Sequence, residues 1–145
     1  KKFYVVKKFK KKEKFLKKPH GIYDNNENKQ KVKSVVYNHN IKNATIIVAL
    51  AGSTAGITTI EYEPGLIKDL PAIFDEIAPM DKNYHHDDTW HDGNGYAHIR
   101  AALLGSSVTI PLIDGALLLG TWQQIVLIDF DNKPRARHIH VQILS

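Results

Sequence analysis

Residues 44–62, ATIIVALAGSTAGITTIEY, decide the fold. The run 44–51 is short, apolar and rich in β-branched residues, and a second such run, 57–62, follows the Gly52-Ser53-Thr54-Ala55-Gly56 turn. Stiff β-branched side chains suit a pleated surface better than a helix, so this stretch predicts two buried strands around a tight loop. Working outward, strand patterns fill the C-terminal side at 107–112, 116–122, 123–130 and 135–144, with Asp114-Gly115 and Asp131-Asn132 as turn signals. On the N-terminal side, Phe3, Val5, Phe9 and Phe15 are interleaved with lysines, which predicts a lysine-rich strand pair within residues 1–20.

Helices fit between these strands. Asp24, Asn25 and Asn26 offer caps before 27–40, where Val32, Val35, Val36 and Tyr37 recur at helical spacing. In 64–78, Leu66, Leu70, Ile73, Phe74 and Ile77 share one face, and Pro71 must lie in the first turn or kink the helix. After a polar loop at 79–93, a short helix is expected at 94–104, with Asn94 as cap and Gly105 just past its end. The sum is one α+β domain over residues 1–145 with two to three helices. A hydrophobic fraction of 43% is enough to close a single core at this length.

Charge is unevenly spread. Residues 1–33 carry thirteen lysines against Glu13, Asp24 and Glu27, a balance of +10, while residues 34–145 carry seven basic against twelve acidic residues, a balance of −5. The body is therefore acidic, and the lysines form no base-reading motif, so no nucleic-acid partner is expected. No apolar window reaches the roughly 18 residues of a membrane span and no apolar leader follows the basic start, so neither a membrane partner nor secretion is expected. Cysteine is absent, which removes disulfides and thiolate chemistry and leaves nitrogen and oxygen as the only donors for a metal. A cytoplasmic setting fits these features.

The densest chemistry lies in residues 85–98. His85, His86, His91 and His98 stand there beside Asp87, Asp88 and Asp92, with Asp81 just before. Neutral imidazole and carboxylate are the donors that zinc or a similar divalent ion takes when thiolate is missing. A solvated polar loop is the competing explanation. His98 is the leading ligand because a helix holds it, with His86 or His85 as its partner, and Asn94 one turn earlier on the same face either orients the site or caps the helix. The 52–56 loop, with Ser53 and Thr54, offers backbone N–H groups and hydroxyls to a phosphate but lacks the lysine of a P-loop. Glu61 is either a general base or surface charge.

Taken together, GSTAGITTIEYEPGL, YHHDDTWHDGNGYAHIRAALLGSSVTIP, DGALLLGTWQQIVLIDFDN and RARHIHVQIL resemble the YjbQ-like family. The resemblance covers most of residues 45–144 and rests above all on 94–98, 105–111 and 120–123. It implies a mainly antiparallel, sandwich-like α+β fold, assembled as a homotrimer. The implied activity is that of a secondary thiamine-phosphate synthase, which joins a hydroxymethylpyrimidine diphosphate to a thiazole phosphate and releases pyrophosphate. A divalent ion, zinc or magnesium, would be the cofactor and a phosphorylated small molecule the partner. By position, Glu61, Asn94 and Gln123 are expected to be catalytic, Ser53, Thr54, Arg100 and Trp122 to bind substrate, and His85, His86 and His98 to bind metal. Trp122 also fits a buried core position. Ala116 is a departure from the resemblance, which implies a basic side chain at that position. Two other readings use the same residues: a non-catalytic binder of a metal or phosphorylated metabolite, and a metal-assisted hydrolase with Glu61 as proton acceptor.

Overall fold

The computed structural model describes residues 3–10, 21–24, 26–38 and 40–145, with side chains from residue 29 onward. Its elements are β1 (Phe3–Lys10), β2 (Gly21–Asp24), α1 (Asn26–Asn38), β3 (Ala44–Leu50), β4 (Ala55–Glu61) and α2 (Leu66–Ile77). They continue with α3 (His85–Trp90), α4 (Gly95–Leu104), β5 (Ser107–Ile113), β6 (Ala116–Leu117), β7 (Gln123–Asp129) and β8 (His138–Leu144). The strands form two antiparallel sheets, one ordered β1-β8-β3-β5-β6 and the other β2-β7-β4.

Alternation explains the packing of the larger sheet. Ile46, Val48 and Leu50 on β3, Ile110 and Leu112 on β5, and Ile139, Val141 and Ile143 on β8 all turn to one face. They meet Ala55, Ile57, Ile125 and Leu127 from the smaller sheet and Val32, Val35 and Val36 from α1 in the first core. Strand β7 is buried on both faces: Val126 and Ile128 point the opposite way, into a second core with Phe74, Tyr96, Ala97, Ala101 and Phe130. The continuous apolar run IVLI is the pattern a doubly covered strand demands. Helices α2 and α4 close this second core. Gly56 lets the end of α4 approach, since a Cβ there would lie 2.6 Å from the Gly105 carbonyl oxygen.

The α+β, mainly antiparallel reading holds, and several local expectations do not. The polar loop 79–93 contains α3, a fourth helix among the described residues, closed by His91 in the left-handed region at φ 52°. Its N-terminus and body bury nothing, so no apolar periodicity announced it. Pro71 lies inside α2 and not in its first turn, which leaves the Ile67 carbonyl without its usual helical N–H partner. The strand expected at 116–122 stops at Leu117, because the Gln123 N–H bonds the Gly120 carbonyl and the Gly120 N–H bonds Gln123 Oε1, which builds a turn instead. The strand expected from 135 starts at His138, since Arg135 and Arg137 are drawn to Asp131 and Asp129. The first strand of the N-terminal pair is β1, which pairs with β8. Residues 11–20, where its companion was expected, and the cap position Asn25 lie outside the described residues. Among the described residues, no helix is long and apolar enough to cross a membrane.

Candidate functional site

Helix α3, the turn after it and the start of α4 converge on one point. The imidazole rings of His86 and His98 lie 4.1 Å apart between centroids. Asp92 Oδ1 stands 3.6 Å from His86 Nε2, too far for a hydrogen bond. Donor atoms of His86, Asp87 and Asp92 all lie within 4.8 Å of one another. His86 Nε2, Asp92 Oδ1 and Asn94 Oδ1 are all buried, and none has a hydrogen-bond partner. Buried polar atoms are nearly always satisfied, so His86 Nε2 and Asp92 Oδ1, facing each other at 3.6 Å, call for a shared partner.

The local architecture explains how these atoms are held. Asn94 occupies the N-cap position of α4, but its side chain makes no capping bond. That duty falls to Asp87 of α3, whose Oδ1 accepts the Gly95 N–H at 3.1 Å. Gly95 permits the close crossing, since a Cβ there would meet Tyr84 Cβ at 2.4 Å. From the β7–β8 loop, Asn132 Nδ2 donates to the carbonyls of Asp92 at 2.8 Å and Gly93 at 3.1 Å, fixing the turn that carries Asp92.

Electrostatics suit ligation. Burial, followed by the neighbouring His86, lowers the pKa of His98 below 6.5, against the opposing pull of Asp92, Asp131 and Asp87. Its ring is accordingly neutral at physiological pH and offers a lone pair. The donors that lie within 4.8 Å of one another are the His86 imidazole and the Asp87 and Asp92 carboxylates, with the His98 ring beside His86, and imidazole with carboxylate is a fitting donor set for a divalent ion.

Behind this cluster lies an ionic network. The Thr54 hydroxyl donates to Asp131 Oδ2 at 2.8 Å and accepts from Arg137 Nη2 at 2.9 Å, and Arg137 is bidentate on Asp129 at 2.6 and 2.7 Å. Burial acts to raise the Asp131 pKa, but bonds from Thr54, the Lys133 N–H and Arg135 outweigh it and the net shift is downward.

The expected site residues divide sharply. His86 and His98 come together with Asn94 at the start of the same helix, and Asp87 and Asp92, named among the loop's carboxylates but not as leading ligands, join them. His85 turns outward to Asp88, 3.2 Å away in solvent. The Thr54 hydroxyl is consumed by Asp131 and Arg137, while Ser53 is exposed. Arg100 is buried, with Nε and Nη2 on the Ala78 carbonyl and Nη2 on Asp75 at 2.6 Å, so it ties α4 to α2. Its guanidinium covers the Tyr96 ring, and burial pushes the Tyr96 phenol up to about 12. Gln123 bonds Thr59 and Gly120. Trp122 is 70% exposed, which excludes it from the core of this chain. Glu61 pairs in register with Gln123, six residues along β4 from the Ala55–Asp129 pair, or about 20 Å at ~3.4 Å per residue. The histidine cluster is tied to the Asp129 end, through Asn132, and Glu61, Trp122 and Gln123 gather at the other. Asn132 escaped sequence reasoning because Asp131-Asn132 read simply as a turn.

The fold and site define a class: small antiparallel α+β domains that gather histidine and carboxylate at the start of a helix packed on the smaller sheet. Within it, the chain belongs to the family described as UPF0047 protein YjbQ-like, whose sequence profile matches residues 22–145. A UPF0047 protein of Archaeoglobus fulgidus is 37% identical over 103 residues, covering 71% of this chain and 79% of the relative. Another, from Methanothermobacter thermautotrophicus, is 37% identical over 112 residues, 77% of this chain and 76% of the relative. A crystal structure of a protein of unknown function from Sulfolobus solfataricus P2 is similar with a TM-score of 0.84 at 30% identity, covering 99% of this chain and 98% of the other. One from Clostridium acetobutylicum, described as an uncharacterized conserved protein, gives 0.82 at 32% identity, covering 96% and 100%.

Proposed function

We propose that His86, His98 and Asp92, with Asp87 and Asn94 beside them, hold a divalent cation, and that this site serves the transferase chemistry the family resemblance implies. The observation that carries the reading is the pair of buried, unpartnered atoms His86 Nε2 and Asp92 Oδ1, 3.6 Å apart, within the His86, Asp87 and Asp92 donor group, with Asn94 Oδ1 also buried and unpartnered. Two imidazole donors favour a zinc-type ion over magnesium, which prefers carboxylate and water oxygens. In the implied reaction a hydroxymethylpyrimidine diphosphate is joined to a thiazole phosphate and pyrophosphate leaves. A bound ion would neutralise charge on that departing diphosphate.

The chain's own contribution is orientation. Asn132 fixes the backbone carrying Asp92, Asp87 locks α3 to α4, and burial keeps His98 unprotonated. The same cluster would equally hold the ion in a protein that binds without turnover, so the test measures both properties. Freshly purified protein is expected to carry about one zinc per chain, and His98→Ala and Asp92→Asn to weaken zinc binding at least about tenfold. Both variants should also lose pyrophosphate release from the two phosphorylated precursors. Unchanged metal content and unchanged product formation in His98→Ala would remove the assignment; zinc binding without any pyrophosphate release would leave the binder and end the transferase.

A further inference from the structure

Away from the histidines, a groove of about 790 Å³ runs between α1 and the β5–β6 turn. That volume lies within the roughly 300–1,000 Å³ usual for small-molecule sites. Its lining includes Val36 and Leu117, both nearly buried, and the partly buried Leu119, an apolar bed continuous with the first core. Lys29, Lys33 and Lys42 border it, with Asp114 the one acid among the lining residues. Lys29 is positioned and not waving: its Nζ donates to the Gln123 carbonyl at 3.1 Å, which uses one of three donors and leaves the others to a ligand. Three ammonium groups against one carboxylate leave a local balance of two positive charges. Two positive charges beside an apolar bed match a dianionic phosphate monoester carrying a non-polar group.

We propose that this groove binds a small organic phosphate, with its phosphoryl group among Lys29, Lys33 and Lys42 and its non-polar body on Val36, Leu117 and Leu119. The Thr121 hydroxyl at the rim adds a donor that can turn to a phosphate oxygen. The site is separate from the histidine cluster. It borders the Gly120–Gln123 turn, at the opposite end of β7 from Asp129, and needs no metal. It therefore stands or falls independently of the cation reading.

The probe is phenyl phosphate, titrated calorimetrically into the full chain at low salt, with inorganic phosphate and benzoate as comparators. Phenyl phosphate should bind most tightly, because inorganic phosphate lacks the apolar body and benzoate carries one charge. Binding should weaken with added salt. Lys33→Gln with Lys42→Gln should weaken it about tenfold or more, the equivalent of losing charge-assisted bonds worth about 1.4 kcal/mol. Both lysines are exposed, so thermal melting should be unchanged. Amide shifts in the ¹⁵N spectrum should fall on residues 115–121, and His98→Ala should bind phenyl phosphate normally. No detectable binding, binding indifferent to the two lysines, shifts confined to other residues, or binding lost in His98→Ala would each overturn the proposal.

Discussion

Gly95 is where a single atom decides whether the candidate site exists. A Cβ there would overlap Tyr84 Cβ at 2.4 Å, and both atoms are rooted in backbone, so neither can swing aside. Gly95→Ala is expected to force α3 away from α4 and to cost about 1–3 kcal/mol, the usual range for overpacking. Urea denaturation measures that loss, and zinc affinity should fall with it because His86 rides on α3. A variant as stable as the parent would mean that α3 can shift without consequence. At this scale the sequence was half legible. His98 and Asn94 could be named because a helix fixes their spacing, whereas His85 and His86 are neighbours, and only a placed backbone tells which one turns inward. The acids posed the same problem: Asp87, Asp88 and Asp92 are chemically alike, and their roles as cap, surface charge and site carboxylate follow from a turn geometry that composition does not encode.

Among elements, the joint between the β4 entry, the end of β7 and the approach to β8 is ionic, where the two cores beside it are apolar. Asp131 is fully buried and gathers Thr54, Arg135 and the Lys133 N–H, with Arg137 at 3.6 Å. Asp131→Asn removes the charge that three donors and a second guanidinium were built around, and is expected to destabilise the fold by about 2–4 kcal/mol at pH 7. The pH dependence has a definite sign. The folded Asp131 pKa lies below the unfolded value of 3.8, so its contribution is fully present above pH 3.8 and is lost as pH falls through the folded value. Urea midpoints of parent and variant should thus be widely separated at pH 7 and 5 and approach each other below pH 3.8. A gap that stays constant across that range would show that Asp131 acts through shape alone. The strands flanking this joint were visible in advance as apolar runs. Its ionic character was not, because Arg135 and Arg137 in an alternating stretch look like the outer face of a strand.

The whole molecule is arranged around β7, which separates two cores and is paired on both sides, by β2 and β4. No local sequence pattern specifies that sheet order, since β2 (Gly21–Asp24) pairs with β7 (Gln123–Asp129) across most of the chain. The arrangement implies a gradient of local stability that runs from β7 outward. Hydrogen exchange should be slowest at β7 and β3, faster in the two-residue edge strand β6, and fast in α3, which has six residues and buries none. Ion binding tests whether this gradient matters to function. A cation held between His86 and His98 ties α3 to α4, so zinc should slow exchange in α3 and at Asp92–Asn94 while leaving β7 at its former rate. Protection that rose equally everywhere would indicate general stabilisation by binding at some other place. Protection that did not change in α3 would mean that His86 is no ligand, and the cation reading would then have lost the residue that joins its two helices.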